Sequence, residues 1–142
     1  MSIQMREEII IAGSGGQGIM FFGTLLCYIA VSQNKHTTFF PSYGAEIRGG
    51  TVNCSVVIAD DEIGSPLINS CSSLVVMNEQ SYNKFSPKLK NGGLLFINSS
   101  LVYSNVLGAV YVPATEVAME LGDVRVANMV MVGKFISVTK LF

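Results

Sequence analysis

Two glycine-rich stretches hold the residues of this chain whose types and spacing could do chemistry. The first, Gly13-Ser14-Gly15-Gly16-Gln17-Gly18, follows a short apolar run and opens a segment of helical spacing. It matches the dinucleotide fingerprint G-x-G-x-x-G in the context that pattern needs. Glycines tolerate positive φ and let a ligand approach the backbone, and amides at a helix start attract phosphate. The second stretch, Pro41-Ser42-Tyr43-Gly44-Ala45-Glu46-Ile47-Arg48-Gly49-Gly50, sets a phenol, a carboxylate and a guanidinium among glycines between two apolar segments. A plain turn needs none of these groups. Arg48 is suited to hold a carboxylate or phosphate through paired hydrogen bonds, or to pair with Glu46 and fix the shape of the loop. Tyr43 suits a subunit joint or the ring of a ligand.

The fingerprint lacks its second half. A NAD or FAD domain carries an acidic residue roughly 20 positions further on, at the end of the second strand. Here that end reads Phe39-Phe40-Pro41-Ser42, with neither an acid nor a phosphate-binding arginine. Two readings of the turn stay open: it holds another anion, or its glycines only let strand and helix pack closely. Gln17, polar at the helix start, suits a ligand or partner contact as well as a cap.

Little other chemistry is on offer. Cys27, Cys54 and Cys71 are far apart, without a C-x-x-C, and His36 is the single histidine. Metal or iron–sulfur ligation within the chain is therefore not expected. Cys54 reads as a small buried hydrophobe in a reducing compartment, and no nucleophile or general-acid assembly can be drawn.

The elements that must position the two loops follow from periodicity. Ile9 to Ala12 is a continuous apolar run of the kind buried on both faces of a sheet. Gly18 to Ser32 reads as a helix. His36 to Phe40, rich in Thr and Phe, reads as a second strand stopped by Pro41. Val52, Cys54, Val56 and Ile58 give the period-2 pattern of a third, closed by Asp60-Asp61. Further strands are predicted at Leu74–Met77, Leu94–Ile97 and Val110–Val112, and a helix at Tyr82–Lys90. Thr115 is placed to cap a short helix with Glu116 against its dipole, and Asp123 to start one from Val124 to Phe142 that is too apolar all round for a surface helix.

The resulting expectation is a three-layer α/β domain with a mainly parallel sheet, helices on both faces and a Rossmann-like start. The two glycine stretches should then meet at one edge of the sheet. The Gly-rich turns between Ile58 and Leu74 and the short spacing of the strands near Leu94 and Val110 leave room for an antiparallel pair.

With 142 residues the chain forms a single domain. Only 13% of residues are charged against 49% apolar, which implies a subunit that meets partner chains. Nine scattered Lys and Arg against ten Asp and Glu argue against nucleic-acid binding. No signal peptide or bilayer-spanning run is visible, so a cytoplasmic chain is expected.

In order along the chain, the glycine turn, Ser42-Tyr43-Gly44-x-Glu46-x-Arg48-Gly49-Gly50, Ser65-Pro66, Asn91-Gly92-Gly93, Pro113-Ala114-Thr115-Glu116 and Val126-Ala127-Asn128-Met129-Val130-Met131 resemble the gamma subunit of 2-oxoacid:ferredoxin (acceptor) oxidoreductases. The loop version is more similar to the 2-oxoglutarate and branched-chain members than to the pyruvate ones, with 2-oxoglutarate favoured. The resemblance implies a multisubunit enzyme that oxidatively decarboxylates a 2-oxo acid, passes the acyl group to coenzyme A and reduces ferredoxin or another low-potential acceptor. Thiamine diphosphate, its magnesium and the iron–sulfur clusters would lie in partner subunits, this chain binding none of them alone and catalysing nothing alone. A C-terminal tail of several tens of residues beyond Phe142 is also implied. Gly13, Ser14, Gly15, Gly16, Gln17, Gly18, Ser42, Tyr43, Gly44, Glu46, Arg48, Gly49 and Gly50 become the ligand or subunit-interface residues, forming a rim near the coenzyme A or substrate entrance. The alternatives are a free-standing dinucleotide-binding domain and a purely structural interaction module.

Overall fold

The computed structural model describes residues 4–42 and 51–142. The elements in chain order are β1 (Arg6–Gly13), α1 (Ile19–Ser32), β2 (His36–Ser42), β3 (Val52–Ala59), β4 (Cys71–Val76), α2 (Glu79–Phe85), a 3-10 turn (Ser86–Lys88), β5 (Leu89–Asn98), β6 (Val110–Val112), α3 (Ala114–Glu120), a second 3-10 turn (Val124–Val126) and α4 (Ala127–Thr139). The six strands form one sheet in the order β2-β3-β1-β4-β5-β6. β1, β4, β5 and β6 run parallel, as their buried apolar runs predict. β3 lies antiparallel to both β1 and β2.

The α/β architecture agrees with the sequence reading; the antiparallel strand is β3, which leads into the turns between Ile58 and Leu74, while the strands near Leu94 and Val110 pair parallel. Its position also alters the Rossmann-like start. β1, α1 and β2 form a crossover between two strands of the same direction, but β3 is inserted between them.

Strand alternation divides the core into two layers. Ile9, Ile11, Cys54, Val56, Ile58, Val75, Met77, Phe96 and Val112 face α1, α3 and α4, which contribute Phe22, Leu26, Ala118, Met131 and Phe135. The ring of Phe135 lies 6.0 Å from that of Phe22, edge to face, and 5.1 Å from that of Phe96. One aromatic contact set thus joins α1, α4 and the sheet. On the other face Ile10, Ala12, Leu74, Val76, Leu95 and Ile97 pack against Phe85 of α2 and Val102 of the β5–β6 connection.

The boundaries of four elements depart from the periodicity. The helix expected over Tyr82–Lys90 starts earlier, because the Asn78 side chain caps it by accepting from the Ser81 amide (3.0 Å). It stops at Phe85, before Pro87 and the 3-10 turn, so Lys90 already belongs to β5. β2 continues through Pro41 to Ser42, which an edge strand tolerates since the missing amide faces no neighbour. Thr115 does not cap α3: Pro113 holds that position without a side-chain bond, while the Thr115 hydroxyl accepts from Asn98. Asp123 caps the short 3-10 turn before α4, and α4 itself ends at Thr139 with Lys140 left-handed at φ 52°.

Asn98 is fully buried at the carboxyl end of β5. Its Nδ2 donates to the Met77 carbonyl (3.1 Å) and to Thr115 Oγ1 (3.0 Å), and its Oδ1 accepts from the Ala114 amide (3.0 Å). Replacing it leaves several buried groups without partners, at about 1–3 kcal/mol for each group that water cannot reach. Asn98→Ala is expected to lower unfolding free energy by roughly 3 kcal/mol, measured by urea denaturation.

Candidate functional site

The glycine turn stands at the carboxyl end of β1 and leads into α1. It is closed from within by Gln17. The Ser14 amide donates to Gln17 Oε1 (2.7 Å), Gln17 Nε2 donates to the Met77 carbonyl (3.4 Å), and the Gln17 amide donates to the Ser14 carbonyl (3.2 Å). The side chain therefore ties the turn to the end of β4.

The glycines serve different ends. A Cβ on Gly13 would stand 2.6 Å from Gln17 Oε1 and 3.0 Å from Met77 Cβ, so Gly13 is required by close packing. Gly18, at φ 72°, starts α1, and a Cβ there would fall 2.3 Å from Asn128 Nδ2. Asn128, nearly buried at the first turn of α4, donates from Nδ2 to the Gly18 carbonyl (3.3 Å). Gly16 needs its positive φ of 86°. Gly15 is exposed, has no positive φ, and a Cβ on it would meet nothing within 4 Å. Among the described residues nothing demands glycine at position 15.

An open cleft of about 490 Å³ lies against this turn, lined by Ser14, Gly15, Gly16, Ile19, Phe21 and Val52 among others. α1 begins with no side-chain cap and no acidic residue in its first turn. The sheet register delivers both ends of the second glycine stretch to the same place: Gly13 pairs with Val52, and Ser42 pairs with Asn53. Ser42 is thus on the rim with the glycine turn. Tyr43, Gly44, Glu46, Arg48, Gly49 and Gly50 lie outside the described residues.

This arrangement bears on the dinucleotide reading. In a Rossmann unit the ribose-binding acid stands at the end of the strand adjacent to β1 on that side. Here the adjacent strand is the antiparallel β3, and Val52, an apolar residue, occupies the corresponding place.

Among the described residues no three His, Cys, Asp or Glu side chains come together. The cysteines are free and lie on α1, β3 and β4, with Cys27 near enough to Cys54 to add to the rise of its thiol. Burial pushes the Cys54 thiol up to about 12 and the Cys71 thiol up to about 11, and raises that of Cys27 against a hydrogen bond from Thr37 that lowers it. Such thiols stay protonated at neutral pH. Glu79, which accepts from the Ser104 hydroxyl (2.7 Å) and the Tyr103 amide (2.8 Å), has its carboxyl lowered by those bonds and braces the β5–β6 connection. No helix among the described residues is long and apolar enough to cross a membrane.

Sequence reasoning missed the roles of Asn98 and Asn128, the two buried amides that hold this end of the sheet. Their signal was a polar residue set directly against a buried run, Leu95-Phe96-Ile97-Asn98 and Ala127-Asn128 before Met131.

Compared with known proteins, residues 8–142 match the family model described as pyruvate ferredoxin/flavodoxin oxidoreductase. The chain is 38% identical over 128 residues to a ketoisovalerate oxidoreductase subunit VorA of Methanothermobacter thermautotrophicus, covering 89% of this chain and 27% of that one. It is 34% identical over 148 residues to a 2-oxoglutarate synthase subunit KorC of Methanocaldococcus jannaschii, covering 98% and 78%. The chain thus spans about a quarter of the length of the ketoisovalerate relative and most of the 2-oxoglutarate one. Among solved structures, the gamma subunit of a keto/oxoacid ferredoxin oxidoreductase from Geobacter sulfurreducens superimposes with a TM-score of 0.84 at 29% identity, covering 96% of this chain and 77% of that one.

The unequal demands on the glycines give a direct test by thermal or urea unfolding of the isolated chain. Gly18→Ala is expected to cost about 2–3 kcal/mol, combining left-handed strain with the Asn128 overlap, and Gly16→Ala about 1 kcal/mol from strain alone. Gly15→Ala should stay within about 0.5 kcal/mol of the parent.

Proposed function

The chain belongs to the pyruvate ferredoxin/flavodoxin oxidoreductase family, and from that premise we propose that it is the gamma subunit of a cytoplasmic 2-oxoacid:ferredoxin oxidoreductase. The complex decarboxylates a 2-oxo acid oxidatively, transfers the acyl group to coenzyme A and sends two electrons to a low-potential acceptor. The Ser-Tyr-Gly-x-Glu-x-Arg-Gly-Gly loop favours 2-oxoglutarate and branched-chain 2-oxo acids over pyruvate; of the two we favour 2-oxoglutarate, supported by similarity to a 2-oxoglutarate synthase subunit over most of its length, and the similarity to a ketoisovalerate subunit makes a branched-chain 2-oxo acid the competing one. Thiamine diphosphate, magnesium and iron–sulfur clusters belong to the partner subunits. This chain contributes the rim formed by the glycine turn and Ser42 to Gly50, which shapes the entrance for coenzyme A or the 2-oxo acid at the subunit joint.

The observation that carries the rim is Gly15. A glycine on an exposed turn, free of strain and with open space where a side chain would stand, has no packing role among the described residues. It serves something outside that comes close to the backbone, whether ligand or partner. Arg48 supplies the charge such a rim needs for a carboxylate or phosphate, worth about 1.5–3 kcal/mol where water is excluded.

Two substitutions in the reconstituted complex test this. Gly15→Ala should leave the isolated chain stable while lowering kcat/KM by roughly tenfold or more, and unchanged turnover would remove the turn from the entrance. Arg48→Ala should raise the apparent KM for coenzyme A or the 2-oxo acid by about 10- to 100-fold. Unaltered affinity for both would assign Arg48 to loop shape alone. A panel of 2-oxo acids assayed with the parent complex names the substrate.

A further inference from the structure

α1 is a fourteen-residue helix without one charged side chain. Its inner positions, Ile19, Phe22, Leu26 and Ala30, are buried in the core. Its outer face would be expected to carry polar residues. Instead Phe21, Tyr28 and Val31 stand there 55%, 77% and 59% exposed, at the i, i+7, i+10 spacing of one stripe. Between them Thr24, Cys27, Tyr28 and Val31 line an apolar groove of about 290 Å³. Phe21 is at once the first residue of the stripe and a wall of the cleft beside the glycine turn.

The exposed parts of these three side chains amount to a few hundred Å², given roughly 150–250 Å² for a whole aromatic side chain. A stable interface needs about 800 Å² from each partner. Two copies of this chain packed stripe to stripe fall short of that. A larger partner reaches it by running from the stripe over Phe21 onto the cleft rim. In the ketoisovalerate relative the matching segment is 27% of the polypeptide, so a chain of this kind is there covalently joined to about three times its own length.

We infer that the outer stripe of α1 docks the polypeptide corresponding to the remaining three-quarters of that relative, and that this contact places the partner over the open side of the glycine-turn cleft. The inference rests on the reading of this chain as one subunit of an oxidoreductase. Tyr28 fills the partner's apolar pocket as the central anchor, in the manner of aromatic interface residues. Cys27, at the groove floor and half-buried, becomes covered.

The test is co-expression of the full chain with the separately encoded protein from the same source that is homologous to those three-quarters. The parent chain is expected to co-purify with it, and Cys27 in the complex to react with a maleimide at least about tenfold more slowly than in the free chain. Tyr28→Glu combined with Val31→Lys, both on the outer face, should keep the melting temperature of the free chain and cut recovery of the complex by about tenfold or more. Leu107→Lys, fully exposed on the β5–β6 connection, should cut nothing. If the parent assembles and the double variant assembles equally well, or Cys27 stays equally reactive in the complex, the docking assignment is wrong and the subunit reading stands. If the parent does not assemble at all, both are wrong. A homodimer of the free chain that the double variant dissolves would replace the partner with a second copy and overturn the proposal.

Discussion

A single backbone carbonyl, that of Met77, joins the parts of this molecule that matter for its site. It accepts from Gln17 Nε2 on one side and from Asn98 Nδ2 on the other, while the Met77 amide donates to the Ala12 carbonyl (2.9 Å). The glycine turn, the ends of β1, β4 and β5 and the start of α3 are thereby held in one hydrogen-bonded row. A buried amide that satisfies several groups at once is costly to disturb, because each loses its partner where water cannot replace it. Asn128 extends the row to α4 through the Gly18 carbonyl. The turn is consequently rigid in its base, at Gly13 and Gly18, and open at its crest, at Gly15 and Gly16. That division of labour among four glycines of one motif separates packing from access.

The second constraint is the strand β3. Its insertion between β1 and β2 removes the neighbour that a dinucleotide site requires and substitutes the ends of the loop carrying Glu46 and Arg48. In sequence, these two are the only Asp, Glu, Lys or Arg residues between Lys35 and Asp60. Three of the described ion pairs lie at the opposite end of the sheet, where Lys90 and Arg6 meet Glu8 and Lys35 meets Asp60, and a fourth, Arg125 with Asp123, precedes α4. The two strands that lead into and out of the loop, β2 and β3, carry no Asp, Glu, Lys or Arg.

Much of this was legible before any coordinates. β1 announced itself as a continuous apolar run, β3 by its period of two, and α1 by helical spacing after the glycines. Strand order was not legible, because antiparallel β3 and a parallel strand share the same alternating pattern and only long-range pairing distinguishes them. The boundary of α2 was misplaced where Pro87 should have weighed more than the apolar spacing around it. Thr115 looked like a cap by type and position, yet the fold uses its hydroxyl as an acceptor for Asn98, a tertiary demand that no local pattern carries. The motif Gly13 to Gly18 was recognised whole, but its letters could not say which glycines face inward.

The low content of charged residues acquires a location in the fold. A domain with 13% charged residues has too few to cover its surface. If the shortage were spread evenly, exposed apolar residues would be scattered singly, which is common and carries no meaning. Some are scattered and others, Met119, Leu121, Val124 and Met129, lie on α3, the turns after it and α4; on α1 three are aligned on the outward face of a helix whose inward face is already filled by Phe22, Leu26 and Ala30. Neither packing within the chain nor helix propensity calls for Phe21, Tyr28 and Val31 there, since Glu, Lys or Gln at those positions would form the helix as well or better. An apolar outer face on an element already satisfied on its inner face is a cost in water that folding alone does not offset. Its compensation has to come from contact outside the domain, and its adjacency to the cleft at Phe21 puts that contact next to Gly15, where nothing among the described residues requires glycine.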